Sequence, residues 1–278
     1  MSLLEAPGAR LYYETHGSGP LLLMVSGSNG TGDAFIGLAE HLAAYYTVVL
    51  YDRRGFSRSQ LAGPQDYDRR LETDADDVRR LIEHLSDAPA IVVGVSSGAI
   101  IALKTLARHP SVARTIVPYE PPAVRQLPDG QQWLDFFSEL YDLYRQKGIP
   151  PALHLFAERC FVEADRQVLA QLRQRAHGEQ AEQMVANATY WFEHELRQYP
   201  PVDLDLDTLR AHASRIVPAA GRGSPGYPCY EVAAVLANKL GLELTEMPGG
   251  HLGCVAHPAE FAQELMQALA RTGDGPKA

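Results

Sequence analysis

The 278-residue chain has only three cysteines, Cys160, Cys229 and Cys254. They are scattered, odd in number and never in a Cys-x-x-Cys pair, so neither a disulfide framework nor a zinc site is expected. Reduced thiols fit a cytoplasmic protein. The N-terminus lacks a basic segment leading into an apolar run, so no signal peptide is expected. Long apolar runs are missing too. Residues 20–25 are among the longest, far short of the roughly 20 residues a membrane helix needs. Positive charge is in deficit, with 25 Lys and Arg against 34 Asp and Glu, a formal net charge of −9. Such a chain repels phosphate backbones and anionic lipid, which argues against nucleic-acid and membrane partners. The pair Arg53-Arg54 is too short to overturn that. No Gly-rich phosphate loop, dinucleotide fingerprint or metal motif is found, so no cofactor and no metal are expected. No internal repeat is visible. The partner that remains is a small-molecule substrate, and a homodimer stays open.

What is present is an alternation of strand-like and helix-like segments. Residues 11–14, 21–25, 47–51, 90–95 and 115–119 read as strands, several of them unbroken apolar runs. Residues 33–46, 72–85 and 98–109 read as helices from their apolar spacing. The rhythm then breaks. Residues 121–213 hold helical patterns at 131–147, 151–161, 164–176 and 180–198 and no convincing strand. The alternation resumes with a strand at 215–219, a helix at 230–240, a strand at 242–247 and a helix at 258–271. Residues 272–278 read as a frayed tail. The expected fold class is α/β, a mainly parallel sheet flanked by helices with an all-helical insertion. Residues 1–122 and 214–278 form its core and residues 123–213 the insertion. Chemistry should sit in the loops after the carboxyl ends of the strands.

One of those loops is Gly94-Val95-Ser96-Ser97-Gly98, which reads G-x-S-x-G. A nucleophile on a tight strand-to-helix turn sits in a strained backbone conformation, and its neighbours two residues away must be tiny. Gly94 and Gly98 meet that need for Ser96. Ser97 would have Val95 and Ala99 there, which fit less well. The bland reading is a tight structural turn. Among ten histidines, His41, His84 and His109 belong to amphipathic helices and His257 to a helix entry. His251 follows a strand end and two glycines at the edge where a base could reach Ser96.

With these residues the chain resembles the α/β-hydrolase superfamily along nearly its whole length. Tyr51-Asp52-Arg53-Arg54-Gly55-Phe56-Ser57-Arg58-Ser59 looks like the D-x-R-G-x-G-x-S loop of its esterase-like members, with Ser57 in place of the second glycine. Met247-Pro248-Gly249-Gly250-His251 looks like its histidine turn. The insertion matches its cap domain, which follows the sixth strand. The resemblance implies an oxyanion hole made by the N–H of Ser97 and the N–H of Ser28, in a loop where Ser26-Gly27 replaces the usual His-Gly. Asn29 is a candidate to add a side-chain amide, with a turn role as its bland alternative. The superfamily's usual acid position holds Ser224, which carries no charge. Glu120, at the end of the preceding strand, is the expected replacement, and Pro121 is expected to hold it extended. Glu231, Glu193 and Glu195 are the alternatives. Asp52 reads as a loop organiser.

The insertion is rich in aromatics. Most should form its own core, while Trp191 and Phe137 are the candidates to touch substrate. Deleting residues 123–203 is expected to leave a foldable core with an exposed site. The favoured activity is hydrolysis of a small or medium organic ester or lactone through an acyl-enzyme at Ser96. Thioester, amide or carbon–carbon bonds would use the same machinery. Haloalkane dehalogenase and epoxide hydrolase activities are disfavoured, since both need a carboxylate where Ser96 stands. A ligand-binding receptor on the same scaffold is the reading from a different class.

Overall fold

The computed structural model describes residues 2–276. Its strands are β1 (Ser2–Ala6), β2 (Ala9–His16), β3 (Leu21–Val25), β4 (Thr47–Tyr51), β5 (Gln60–Leu61), β6 (Ala90–Val95), β7 (Ala113–Tyr119), β8 (Ala219–Gly221) and β9 (Thr245–Met247). They form one sheet in the order β1-β2-β4-β3-β6-β7-β8-β9, with β5 beside β2. The pairs β1/β2, β2/β4 and β2/β5 are antiparallel, and all pairs from β4 to β9 are parallel.

The central strands β3 and β6 carry no polar side chain because both sheet faces are covered. Leu22, Met24, Val48, Leu50, Ile91 and Val93 pack in one layer with Leu38 and Leu42 of α1 (Ile36–Leu42) and Phe261 and Leu265 of α11 (Pro258–Arg271). The alternate residues Leu23, Val25, Val49, Tyr51 and Val92 pack in the other. They meet Val78 of α2 (Arg70–Leu85), Ile100 of α3 (Ser97–Arg108) and Leu236 of α9 (Pro228–Leu240). That period of two is the strand's own geometry.

The order β4-β3-β6 contains a switch point. From β3 the chain steps to β4 on one side, and β6 then takes the other. The crevice beyond the carboxyl ends of β3 and β6 is where such sheets bind ligands. It brings the loop after Val25 beside the turn after Val95.

Between β7 and β8 lie α4 (Gly130–Lys147), α5 (Ile149–Cys160), α6 (Glu163–Arg175) and α7 (Glu179–His194), with no strand among the described residues. The insertion follows the sixth of the eight strands on the main path, the two-residue β5 lying off it. The unexpected helix α8 (Leu206–Ala211) is capped by Asp205, whose side chain accepts the Thr208 N–H. It packs against α3 and α9, so the end of the stretch 123–213 joins the core layer.

Several expectations are corrected. Residues 33–46 do not form one helix. A 3-10 turn, Gly32–Phe35, capped by the Thr31 side chain, precedes a short α1. The strand expected at 215–219 is reduced to a bridge between Ile216 and Ile116 before β8 begins. Pro218 has no N–H for a ladder bond. The helix α10 (Gly253–Ala256) was not anticipated. The tail is tied down as far as it is described. The Asp274 carboxylate accepts from Thr115 Oγ1 at 2.5 Å and pairs with Arg114, and its carbonyl accepts from the Tyr46 hydroxyl at 3.0 Å. Lys277 and Ala278 lie outside the described residues. No helix among the described residues is long and apolar enough to cross a membrane.

Candidate active site

Ser96 is the N-cap of α3 and adopts φ 57°, ψ −122°, a conformation that L-residues avoid. Its two flanking glycines have no room for a side chain. A Cβ on Gly94 would lie 2.2 Å from the Gly98 carbonyl oxygen, and one on Gly98 would lie 2.0 Å from the Val25 carbonyl oxygen. The small residues are thus required by the approach of β3, β6 and α3 at the turn.

His251 is buried, and its Nδ1 lies 2.6 Å from Glu120 Oε2. The other carboxylate oxygen, Oε1, accepts the Gly221 N–H at 2.9 Å. Both oxygens are therefore held, and the imidazole's second nitrogen is left for the cavity. Phe161 stacks on the His251 ring at 4.8 Å between centroids. Glu120 is not extended, however. Its φ is 48°, and its N–H donates to the Ala219 carbonyl across the β7/β8 gap. These tertiary bonds outweigh the preference imposed by Pro121.

Ser28, Ser96, Ser97 and His251 line one cavity with Phe137, Trp191, Cys160 and Cys229. The cavity has a volume of about 20 Å³, room for about one water molecule. Among the described residues Ser96 Oγ makes no hydrogen bond; such contacts often tighten only with substrate bound. Ser97 opens α3, so its N–H has no acceptor within the helix. The loop carrying Ser28 comes close, since a Cβ on Gly27 would lie 2.8 Å from Ser96 Cβ.

The family model described as the alpha/beta hydrolase fold matches residues 20–176. The chain belongs to this family. It is 36% identical over 272 residues to the uncharacterized hydrolase YraK of Bacillus subtilis, covering 96% of this chain and 94% of that one. In fold it is similar to a thermophilic esterase from Thermogutta terrifontis, with TM-score 0.73, 18% identity and 98% and 99% of the two chains covered. It is similar likewise to the enol-lactonase from Burkholderia xenovorans, with TM-score 0.69, 18% identity and 97% and 100% covered.

The other carboxylates considered for this hydrolase have partners other than His251, although Glu195 also lines the cavity. Glu193 accepts from Tyr141, Tyr144 and Arg145, Glu231 from the Gly226 N–H, and Glu195 from Arg53 and Arg70. Ser224 is buried in the turn after β8. Asp52 organises its loop, accepting the N–H groups of Gly32 and Arg58. Ser57, in place of a family glycine, has φ 46°. Asn187 of α7 accepts its N–H and donates to its Oγ, which holds a serine where glycine would be freer.

Trp191 and Phe137 line the cavity, whereas Asn29 does not. Its side chain is exposed in the turn and its carbonyl accepts from Asn187, so the turn role applies. Two further side chains that sequence reasoning missed hold the histidine turn. Asp165 in the first turn of α6 accepts the N–H groups of both His251 and Leu252 at 2.8 and 3.0 Å. Burial pushes its carboxyl upward, against the pull of His251. The Tyr119 hydroxyl donates to the Gly250 carbonyl in the same histidine turn. No pattern in the sequence marks either contact, because both join segments far apart in the chain.

Two of the three thiols, Cys160 and Cys229, line the cavity, but all three are poor nucleophiles. Burial raises those of Cys160 and Cys229 and pushes Cys254 up to about 12. They stay protonated near neutrality, and the thiolate is the reactive form. Among the described residues no group of three or more His, Cys, Asp or Glu side chains is gathered to hold a metal.

Proposed function

We propose that this hydrolase cleaves a small or medium organic ester or lactone through an acyl-enzyme at Ser96. The observation that carries the reading is the buried Glu120–His251 pair, 2.6 Å apart, whose His251 lines the same cavity as Ser96 on its strained turn. Glu120 fixes the tautomer with the proton on Nδ1, so Nε2 is the base. Nε2 takes the Ser96 hydroxyl proton as Oγ attacks the carbonyl carbon. The oxyanion accepts from the N–H groups of Ser28 and Ser97. The carbon–oxygen bond to the leaving group then breaks, and His251 returns the proton to the alkoxide. Water, deprotonated by His251, attacks the acyl carbon; the bond to Ser96 Oγ then breaks as His251 returns the proton to Oγ, and the acid leaves. With a lactone the alcohol and acid leave as one hydroxy acid.

Helices α4 to α7 act as a cap, with Trp191 and Phe137 against the substrate. The apolar part of the lining, with Phe137, Phe156 and Trp191, supports an organic acyl group. The esterase and enol-lactonase that share the fold support the bond type. The net charge of −9 supports a small-molecule partner over nucleic acid, and buried free thiols support a reducing, cytoplasmic setting.

The test is a panel of p-nitrophenyl esters and lactones, together with a serine-directed phosphonate. Stoichiometric labelling at Ser96, and loss of turnover in Ser96→Ala, are expected. Labelling at Ser97, or binding of ligands without turnover, would sink the reading, the latter in favour of a receptor.

A further inference from the structure

Beneath the oxyanion loop lies a buried charge cluster that the mechanism above does not use. Arg53, at the end of β4, is fully buried. Its guanidinium is gripped by Glu195, with Nη1 and Nη2 donating to the two carboxylate oxygens at 2.7 and 2.8 Å. Asp74 takes a third bond from Nη1 at 3.2 Å. The second Nη2 donor is aimed elsewhere, at the Gly27 carbonyl at 2.7 Å, while the buried Nε–H has no partner among the described residues. The Arg53 backbone N–H donates to the Gly30 carbonyl, also at 2.7 Å, and the turn between them closes with the Gly30 N–H on Gly27 O. Arg53 therefore clamps the turn at both ends. Phe56, under the guanidinium at 4.6 Å, fills the space where a Gly30 side chain would be.

The carbonyl of Gly27 and the N–H of Ser28 belong to one peptide unit. A cation bonded to the oxygen draws electron density away from the nitrogen and strengthens the N–H as a donor. The same bond fixes the plane of the peptide, so the N–H points along a fixed line. We propose that Arg53 is a positioning residue for the oxyanion hole, acting through the peptide that joins Gly27 to Ser28, with Glu195 of the insertion holding it there. The inference rests on the acyl-enzyme reading of Ser96. It adds a route by which the insertion, through Glu195, bears on the stabilisation of the transition state. Because the oxyanion exists only after attack, the effect belongs in kcat and not in KM.

Arg53→Lys is the first variant to measure. Lysine keeps the charge, but a single ammonium lacks the planar fork that serves Glu195 and Gly27 together. Removing an oxyanion donor outright costs about 10²–10³-fold in kcat, so loss of its alignment should cost about tenfold or more, with KM within about twofold. A matched pair of inhibitors separates this from a general structural effect. A trifluoromethyl ketone adds Ser96 and forms an oxyanion, while the parent methyl ketone only occupies the cavity. The first should lose affinity by the factor by which kcat/KM falls, and the second should not change. If Arg53→Lys does not fold, the double variant Arg53→Met/Glu195→Met removes one charge of each sign and leaves Arg70 beside Asp74. The ratio of the two ketone affinities is then read on it. A folded variant with an unchanged ratio overturns the proposal while Ser96 chemistry stands. A wild type that binds both ketones equally removes the covalent reading of Ser96, and this proposal with it.

Discussion

Ser224 sits where the family commonly keeps its acid, and it cannot balance an imidazolium. Its Oγ is buried and without a hydrogen-bond partner among the described residues, so it does no electrostatic work for His251. In the proposed mechanism Glu120 is the acid instead, with one oxygen on Nδ1 and the other on Gly221. Glu120→Gln would keep the shape, lose the charge and let the ring take the wrong tautomer. Turnover should fall by up to about 10⁴-fold, as it does when the acid of a serine-protease triad becomes an amide. Ser224→Ala should change it by less than about tenfold, or 1.4 kcal/mol of barrier. Steady-state kinetics on the two variants, with folding checked by circular dichroism, decide the matter. A Glu120→Gln enzyme of normal activity removes Glu120 from the mechanism. At this scale the placement of candidate residues at strand ends is legible in the sequence, as at Ser96, His251 and Glu120, which the fold brings to one place. It is not legible where a side chain serves a distant backbone group. Asp165 on the histidine turn and Arg53 on Gly27 are of that kind, and the positive φ of Glu120 depends on Ala219, which no local preference records.

Among the elements, legibility follows burial on both faces. The apolar runs of β3, β4 and β6 match their expected limits residue for residue. The edge pieces β1 and β5 went unanticipated. They are short and largely exposed, and their pairing with β2 comes from the fold rather than from their own pattern. Helix contacts carry a pH signature of their own. Asp76 of α2 lies 2.8 Å from Arg108 and 2.6 Å from His109, at the end of α3. Burial alone would raise its carboxyl, but these two partners outweigh burial and hold it at about 2, below the usual 3.8. A carboxylate depressed in the folded state stabilises the protein above its unfolded pKa. That contribution is complete above about pH 4 and drains away as pH falls toward about 2. Asp76→Asn should therefore lower the urea midpoint at pH 7 and leave it nearly unchanged near pH 2. Equal losses at both pH values would mean that packing, not charge, joins α2 to α3.

At the scale of the whole molecule the insertion is bound in rather than laid on. Three of its polar side chains reach into the core. Glu195 holds the buried Arg53 and Arg70, Asp165 holds the histidine turn, and Asn187 holds Ser57 and the Asn29 carbonyl. One hydrophobic cluster also runs unbroken from Leu23, Val92 and Ile100 to Phe136, Phe137 and Trp191. The sequence suggested that residues 123–203 could be deleted to leave a folded core, and the charges argue otherwise. Without Glu195, the buried Arg53 and Arg70 would share Asp74 as their one carboxylate partner among the described residues, and breaking a buried pair costs about 3–5 kcal/mol. Against a total stability of about 5–15 kcal/mol, that loss and the opened apolar surface leave little. Deletion should give no soluble folded core. The full chain should unfold as one unit, and its two tryptophans make this measurable, since Trp133 and Trp191 both lie in the insertion. Their fluorescence reports on the insertion, while far-ultraviolet circular dichroism reports on every helix. The two urea transitions should coincide. A fluorescence transition that runs ahead of the dichroism would show a cap that melts alone, and would restore the core as a separable unit.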